Sequence, residues 1–375
     1  MTNQRPFALE LLEKPSSVKL KYFKDITVPH RNLKEILAQL ITNILEPADT
    51  SLFLIFGVTG VGKTTLRLRL EKILLELFLE DLFLNPGQIA VAGVEVASPA
   101  QGKFNHQDYY IRVLEVLNEV LISYKVVYDI SASKDNNGQP IKISGNNSQA
   151  LRRAMEKVFL NRQLRAFTID EAQHLFATAG AHQLLNQMNW IKSIANLTKT
   201  VHILFGTYEL LNCSTINGQV GRRSQDIHLS RYHKELEQDI TEYSRIIQTF
   251  QRHLPVLNEP QLEKHSDYLL DYSLGCVGIL KSWLIRALNI AIEKNENTLT
   301  KNHLQQAELS LVRRKQICEE AKAGEKRFTE SFINNEGSDT FTSQQNRATA
   351  SKSTHRGVGE RKPQRDQVGV NSYDS

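Results

Sequence analysis

The sequence has 375 residues, 41% hydrophobic and 23% charged, with a formal charge of +5. These are the proportions of an ordinary soluble protein of two or three domains, mildly basic and so permissive for nucleic acid. The three cysteines, Cys213, Cys276 and Cys318, lie far apart with no CxxC spacing, which suggests neither a zinc site nor a disulfide framework and fits a reducing cytoplasm. The N-terminus shows no apolar signal region and no apolar run is long enough to span a bilayer. A cytoplasmic protein with no membrane partner is expected.

Leu33 to Leu45 carries apolar residues at helical spacing and stops before Glu46-Pro47. Residues 1–50 therefore read as an N-terminal helical lead-in. From Ser51 short apolar runs alternate with helical patterns, as in a parallel α/β sheet. Strands are predicted at Leu52–Phe56, Ile89–Val96, Arg165–Asp170, Val201–Phe205 and Asp226–Leu229. Helices are predicted at Thr65–Leu84, Gln107–Ser123, Ser148–Asn161 and His182–Leu197, with a short one near Tyr208. Between them Ser131 to Asn147, rich in Asn, Gly and Ser, reads as a long loop or small hairpin. After Tyr232 the strand signals stop. Lys234–His253, Pro260–Tyr272, Gly278–Lys294 and Asn302–Cys318 read as four helices. The expected architecture is a five-stranded parallel sheet flanked by helices over residues 51–232, then a helical lid over 233–318. From about Ala321 apolar residues thin out, and 319–375 reads as a polar tail, disordered at its end from Asp339 to Ser375.

Gly57-Val58-Thr59-Gly60-Val61-Gly62-Lys63-Thr64 fits GxxxxGK[ST] between a predicted strand and a predicted helix. That context marks a phosphate site. The glycines let backbone N–H groups reach phosphate oxygens, and the helix N-terminus that opens at Thr65 adds its positive dipole end. Lys63 would reach the β- and γ-phosphates and the Thr64 hydroxyl would bind Mg²⁺. Binding of a nucleoside triphosphate, ATP with Mg²⁺, is the expectation.

Arg165-Ala-Phe-Thr-Ile-Asp170-Glu171 ends a strand in two carboxylates. Asp170 suits the metal shell and Glu171 suits the general base that polarises the attacking water. His174 either contacts nucleotide or a neighbour, or packs under the sheet. Thr207, at the end of the fourth strand, either senses the γ-phosphate or caps the next turn. Arg222 and Arg223 precede the last strand; they are either a solvated basic turn or a source of a guanidinium that bridges phosphate oxygens from a neighbouring subunit. Lys281, early in the third lid helix, either senses phosphate or is simply exposed. Lys103 after the second strand, Lys134 and Lys142 in the polar loop, and Arg152 and Arg153 at the start of a helix could contact DNA or form a solvated surface. The tail's Lys352, Arg356, Arg361, Lys362 and Arg365 could form a tether or merely keep it soluble.

The order of P-loop, Asp-Glu strand, polar strand end, arginines and helical lid resembles an AAA+ ATPase. More narrowly, Ile169-Asp-Glu-Ala-Gln-His174, Phe205-Gly-Thr-Tyr-Glu-Leu-Leu211 and the block from Asn217 to Tyr232 resemble the TniB/TnsC family of DNA-transposition regulators, of the CRISPR-associated transposon type. The resemblance spans roughly residues 30 to 300. It implies a P-loop AAA+ fold and an ATP-dependent ring or filament on double-stranded DNA, linking a target-selection protein to a transposase. It makes Arg222 or Arg223 the inter-subunit arginine, with Arg231 a weaker candidate, and the region around Lys103 the DNA-facing element. Two departures stand out: the lid offers only Lys281 where a sensor arginine would stand, and the polar tail has no counterpart in the family pattern. Two other functions fit the same motifs: a nucleotide-gated signalling switch that docks a partner without touching DNA, and a replicative helicase loader.

Overall fold

The apolar run Leu52–Phe56 forms β1, and all five of its residues are buried. A strand buried on both faces belongs in the middle of a parallel sheet. In the computed structural model, which describes residues 5–46, 49–99, 102–125, 147–177, 181–214 and 224–336, it does. The sheet adds β2 (Val91–Glu95), β3 (Ala166–Asp170), β4 (Val201–Gly206) and β5 (Ser224–His228). All neighbours pair in parallel, in the order β2-β3-β4-β1-β5. The edge strand β5 starts with the half-exposed polar residues Ser224, Gln225 and Asp226, as an edge should.

Before the sheet come α1 (Ser16–Asp25) and α2 (Arg31–Leu45). The sequence pattern reveals only α2, because α1 buries a single side chain, Phe23. The two helices serve different cores. Phe23 joins a cluster with Tyr232, Tyr243, Phe250 and Trp283, whereas Leu33, Ile36, Leu37, Leu40 and Ile44 of α2 join the sheet's core.

β1 leads into α3 (Lys63–Leu77), which buries Leu66, Leu70 and Leu74 at a spacing of four. The single helix predicted over Thr65–Leu84 is broken at Phe78 (φ −98°, ψ 14°), and α4 (Leu79–Leu84) buries none of its residues. Next, α5 (His106–Val116) is capped by Asn105, whose side chain accepts from the N–H groups of Gln107 and Asp108. It stops well short of the predicted Ser123 because Asn118 and Leu121 take positive φ, which ends a helix. Then follow α6 (Asn147–Asn161), α7 (Ala181–Thr198) and the short α8 (Leu211–Ser214).

Beyond the sheet lie α9 (Glu237–His253), α10 (Ser266–Tyr272), α11 (Val277–Glu293), α12 (Lys301–Gln306) and α13 (Leu311–Glu336). The helix predicted over Asn302–Cys318 is two helices, and the second runs far past Cys318 into what reads as polar tail. Its reason is a face of Ile317, Ala321, Gly324 and Phe328 at helical spacing, packed on the core of the sheet. The predicted tail from Asp339, and nearly all of the polar loop from Ser131, lie outside the described residues. The chain divides into two units, 1–332 and 333–375, and the second enters the described residues only as the last turn of α13. No helix among the described residues is long and apolar enough to cross a membrane.

Candidate functional site

β1 stands where the strand order reverses, and ligands of open α/β sheets bind beyond the carboxyl ends of strands at that point. The loop Gly57–Gly62 leaves β1 there. Gly62 takes φ 121°, a conformation that a side chain would strain, and a Cβ added there meets nothing within 4 Å. Val58 and Val61 are buried and anchor the loop, with the Val61 N–H donating to the Val58 carbonyl at 3.2 Å. α3 begins at Lys63, so the N–H groups of Lys63, Thr64 and Thr65 have no intrahelical acceptor, and the helix dipole favours an anion beside them.

Lys63 is only 8% exposed. Its Nζ donates to the carbonyls of Gly57 at 2.9 Å and Val58 at 3.1 Å. Burial pushes its pKa down, and the carboxylates of Glu171, Glu320 and Asp170 pull it back. A buried amine held by its own loop's carbonyls fits a site that takes an anion. Thr64 is exposed at the mouth, and Thr65 is half-buried.

The carboxylates sit at the end of β3. Asp170 is 2% exposed, and its Oδ1 accepts from the Glu171 N–H at 3.0 Å. Its Oδ2 lies 3.3 Å from Arg67 Nε, close enough for an ion pair but not aligned as a hydrogen bond. Arg67 Nη1 donates to Glu71 at 3.1 Å, and Glu71 also accepts from the Thr168 hydroxyl. The reading of the sequence missed this chain from Thr168 to Asp170. Its one visible trace is an Arg-Glu pair spaced i, i+4 in α3.

Glu171 has φ 51°, rare for its residue type. Its Oε2 accepts from Gln173 Nε2 at 2.5 Å, and Gln173 Oε1 accepts from the Thr207 N–H at 3.3 Å. The Thr207 hydroxyl accepts from Glu209 N–H at 3.5 Å, the capping contact. His174 lies half-buried in the short helical turn Ala172–Phe176.

A narrow cleft adjoins the loop, lined by Thr27, Val28, His30, Val61, Thr65, Gly278 and Lys281. Val28, Leu33, Val61, Phe250 and Val277 give it a partly apolar lining. The strand-like stretch Ile26–His30 was not picked out from the sequence, since it has no motif. His30 is buried, which lowers its pKa to about 4, and its Nδ1 meets the Tyr232 hydroxyl at 3.0 Å. Lys281 Nζ donates to the carbonyl of Lys24 at 2.6 Å, at the end of α1. On the opposite side α13 crosses the mouth. Thr59 donates to Glu320 at 3.3 Å, Arg231 clamps Glu325 at 2.7 and 3.1 Å, and Phe328 packs on Phe56 and His228.

The loop, Asp170, Glu171 and Thr207 are thus brought together. Lys103 and Arg153 are exposed. Arg152 is engaged by Glu156 at 2.8 Å and Ser193 at 3.3 Å. Arg222, Arg223, Lys134 and Lys142 lie outside the described residues. Among the described residues no group of three or more His, Cys, Asp and Glu side chains could hold a metal ion by itself.

The parallel sheet of five strands, the P-loop after the interior strand β1 and the helices that follow define a P-loop AAA+ fold. Residues 46–213 match the AAA domain family. The structure is similar to the ORC2 protein of Aeropyrum pernix in its ADPNP-ADP complexes, at 18% identity and TM-score 0.51, over 76% of this chain and 70% of that one. The ADP form of that protein is similar at 16% identity and TM-score 0.50, over 76% and 71%. Cdc6p from Pyrobaculum aerophilum follows at 15% identity and TM-score 0.49, over 76% and 69%. No curated protein matches the sequence.

Proposed function

We propose that this chain is an ATP-hydrolysing regulator of transposition that assembles on double-stranded DNA and links a target-selection protein to a transposase. One observation carries the enzymatic half. The buried Lys63 amine, the Asp170-Glu171 pair and the Thr207 backbone converge beside the glycine loop, at the carboxyl ends of β1, β3 and β4. In this reading the N–H groups of the loop and Lys63 bind the triphosphate, and the base enters the cleft beside Val28 and Gly278. Thr64 and Asp170 would hold Mg²⁺, which would supply positive charge against the phosphate oxygens. Glu171 takes the proton of the attacking water. Thr207 registers the γ-phosphate, and Lys281 contacts the nucleotide after leaving Lys24. Arg222 or Arg223 enters from a neighbouring subunit.

The DNA half rests on the resemblance of three sequence blocks, on the charge of +5 and on the exposed Lys103 and Arg153. Arg152 contributes less, because Glu156 already pairs with it. The test is the ATPase rate with and without duplex DNA, together with electron micrographs of a Glu171→Gln protein in ATP. Duplex should raise the rate, and the variant should form DNA-bound oligomers whose binding weakens steeply with salt. Monomers alone, with and without DNA, would overturn the assembly. Partner docking with no response to DNA would favour a signalling switch, and co-purification with a replicative helicase would favour a loader.

A further inference from the structure

β3 and β4 are paired up to Ile169 and Leu204. The register of the two strands ends at that pair, and Glu171 and Thr207 both lie past it. Gln173 supplies a tie there through its two amide ends, Nε2 on Glu171 and Oε1 on the Thr207 N–H. The orientation of the amide is fixed by chemistry. A carboxylate only accepts and a backbone N–H only donates, so one rotamer alone satisfies both. Gln173 is 9% exposed, so its amide is largely shielded from bulk water. Space is kept for it as well, because a Cβ on Gly206 would come within 2.7 Å of Gln173 Oε1. Glu171 takes its left-handed backbone at the junction between β3 and the turn Ala172–Phe176.

We propose that Gln173 is a positioning residue for ATP hydrolysis, tying the Glu171 carboxylate to the end of β4 and fixing which of its oxygens faces the water. The inference rests on the ATPase reading above. With Oε2 occupied by the amide, Oε1 is left to accept the proton. The water oxygen bonds to the γ-phosphorus, its proton passes to Glu171, and the bridging P–O bond breaks with its electrons going to ADP. The Thr207 N–H sits on the other end of the same amide, so a displacement of the β4 end by the γ-phosphate moves the base with it.

Steady-state ATPase and nucleotide titration on the full chain test this, with wild type, Glu171→Gln, Gln173→Met and Gln173→Glu. Gln173→Met keeps the packing without the bonds. Gln173→Glu keeps the acceptor for Thr207 and replaces the donor to Glu171 by a like charge. Both should lower kcat by about 10- to 100-fold, the cost of a misplaced catalytic group, with KM and nucleotide affinity unchanged. In a Glu171→Gln background Gln173→Met should lower the residual rate no further, since it acts through Glu171. A Gln173→Met protein that turns over like wild type, or an effect that adds to that of Glu171→Gln, overturns the inference alone. A wild type that does not hydrolyse ATP, or a Glu171→Gln protein as fast as wild type, overturns the ATPase reading and this inference with it.

Discussion

Gly324→Ala separates two opposing effects. In the middle of a helix alanine is favoured over glycine by about 1 kcal/mol, so in an isolated helix the change is stabilising. In the folded chain α13 lies flush on Tyr208, and a Cβ at position 324 would fall 2.1, 2.2 and 2.6 Å from three atoms of that ring. The ring cannot retreat easily, since it is buried and its hydroxyl is bonded to His228 at 2.8 Å. Forcing one methyl group into a packed site costs about 1–3 kcal/mol. Subtracting the gain in propensity leaves a net loss of about 0–2 kcal/mol, so the substitution does not stabilise the folded chain as it does the isolated helix. Hydrogen exchange read residue by residue gives the clearest assay. Protection should fall along α13 around Glu320 and Glu325 and stay unchanged in β1 and β3. A peptide of residues 311–336 should become more helical with the same substitution. A protein that gains stability in step with the peptide would refute the docking of α13 on Tyr208.

Arg67→Met removes the counter-charge from a carboxylate that is 2% exposed. Breaking such a pair costs about 3–5 kcal/mol, to be read from urea denaturation; a loss near zero would show that Asp170 does not depend on Arg67. Lys63→Met should weaken nucleotide binding by at least about tenfold, the value of one charge-assisted hydrogen bond, in titration calorimetry. The same substitution should not lower the unfolding midpoint, since it removes a charge that burial penalises. His30, His202 and His228 are each pushed by burial to about 4 from an ordinary 6.5. The unfolded chain binds these protons first, so stability is complete above pH 6.5 and is lost as the pH falls toward 4. At pH 5 the loss is about 2 kcal/mol for each histidine. Urea midpoints at the two pH values measure it, and a His202→Gln protein with the same drop as wild type would refute the assignment for that residue.

The interior of the sheet was legible because β1 is five apolar residues in a row and cannot be mistaken for an amphipathic helix. The P-loop was legible because its chemistry demands particular residues at fixed spacing. Helix ends were less so: the stops at Phe78 and Leu117 are set by backbone geometry that leaves no apolar pattern. The length of α13 was hidden by the smallness of its contacts. Ala321 and Gly324 carry almost no hydrophobic signal, yet they permit the closest approach to the core. Gln173 escaped notice for a related reason. A buried amide that bridges two strand ends looks, in sequence, like any polar residue after an acidic pair.

The stretch Ile26–His30 joins a helix of one core to a helix of the other, and the chain passes between those cores again at Leu229–Tyr232. The two passages lie side by side, bonded from His30 to Tyr232 at 3.0 Å and from Asn32 to the Ser230 carbonyl at 2.9 Å. One peptide strand can twist as well as bend. Two strands fastened together resist twisting more than one alone does. Arg231, on one of those strands, is held by Glu325 of α13. The guanidinium of Arg231 thus ties that fastened pair to α13, whose Ala321 is buried in the core of the sheet.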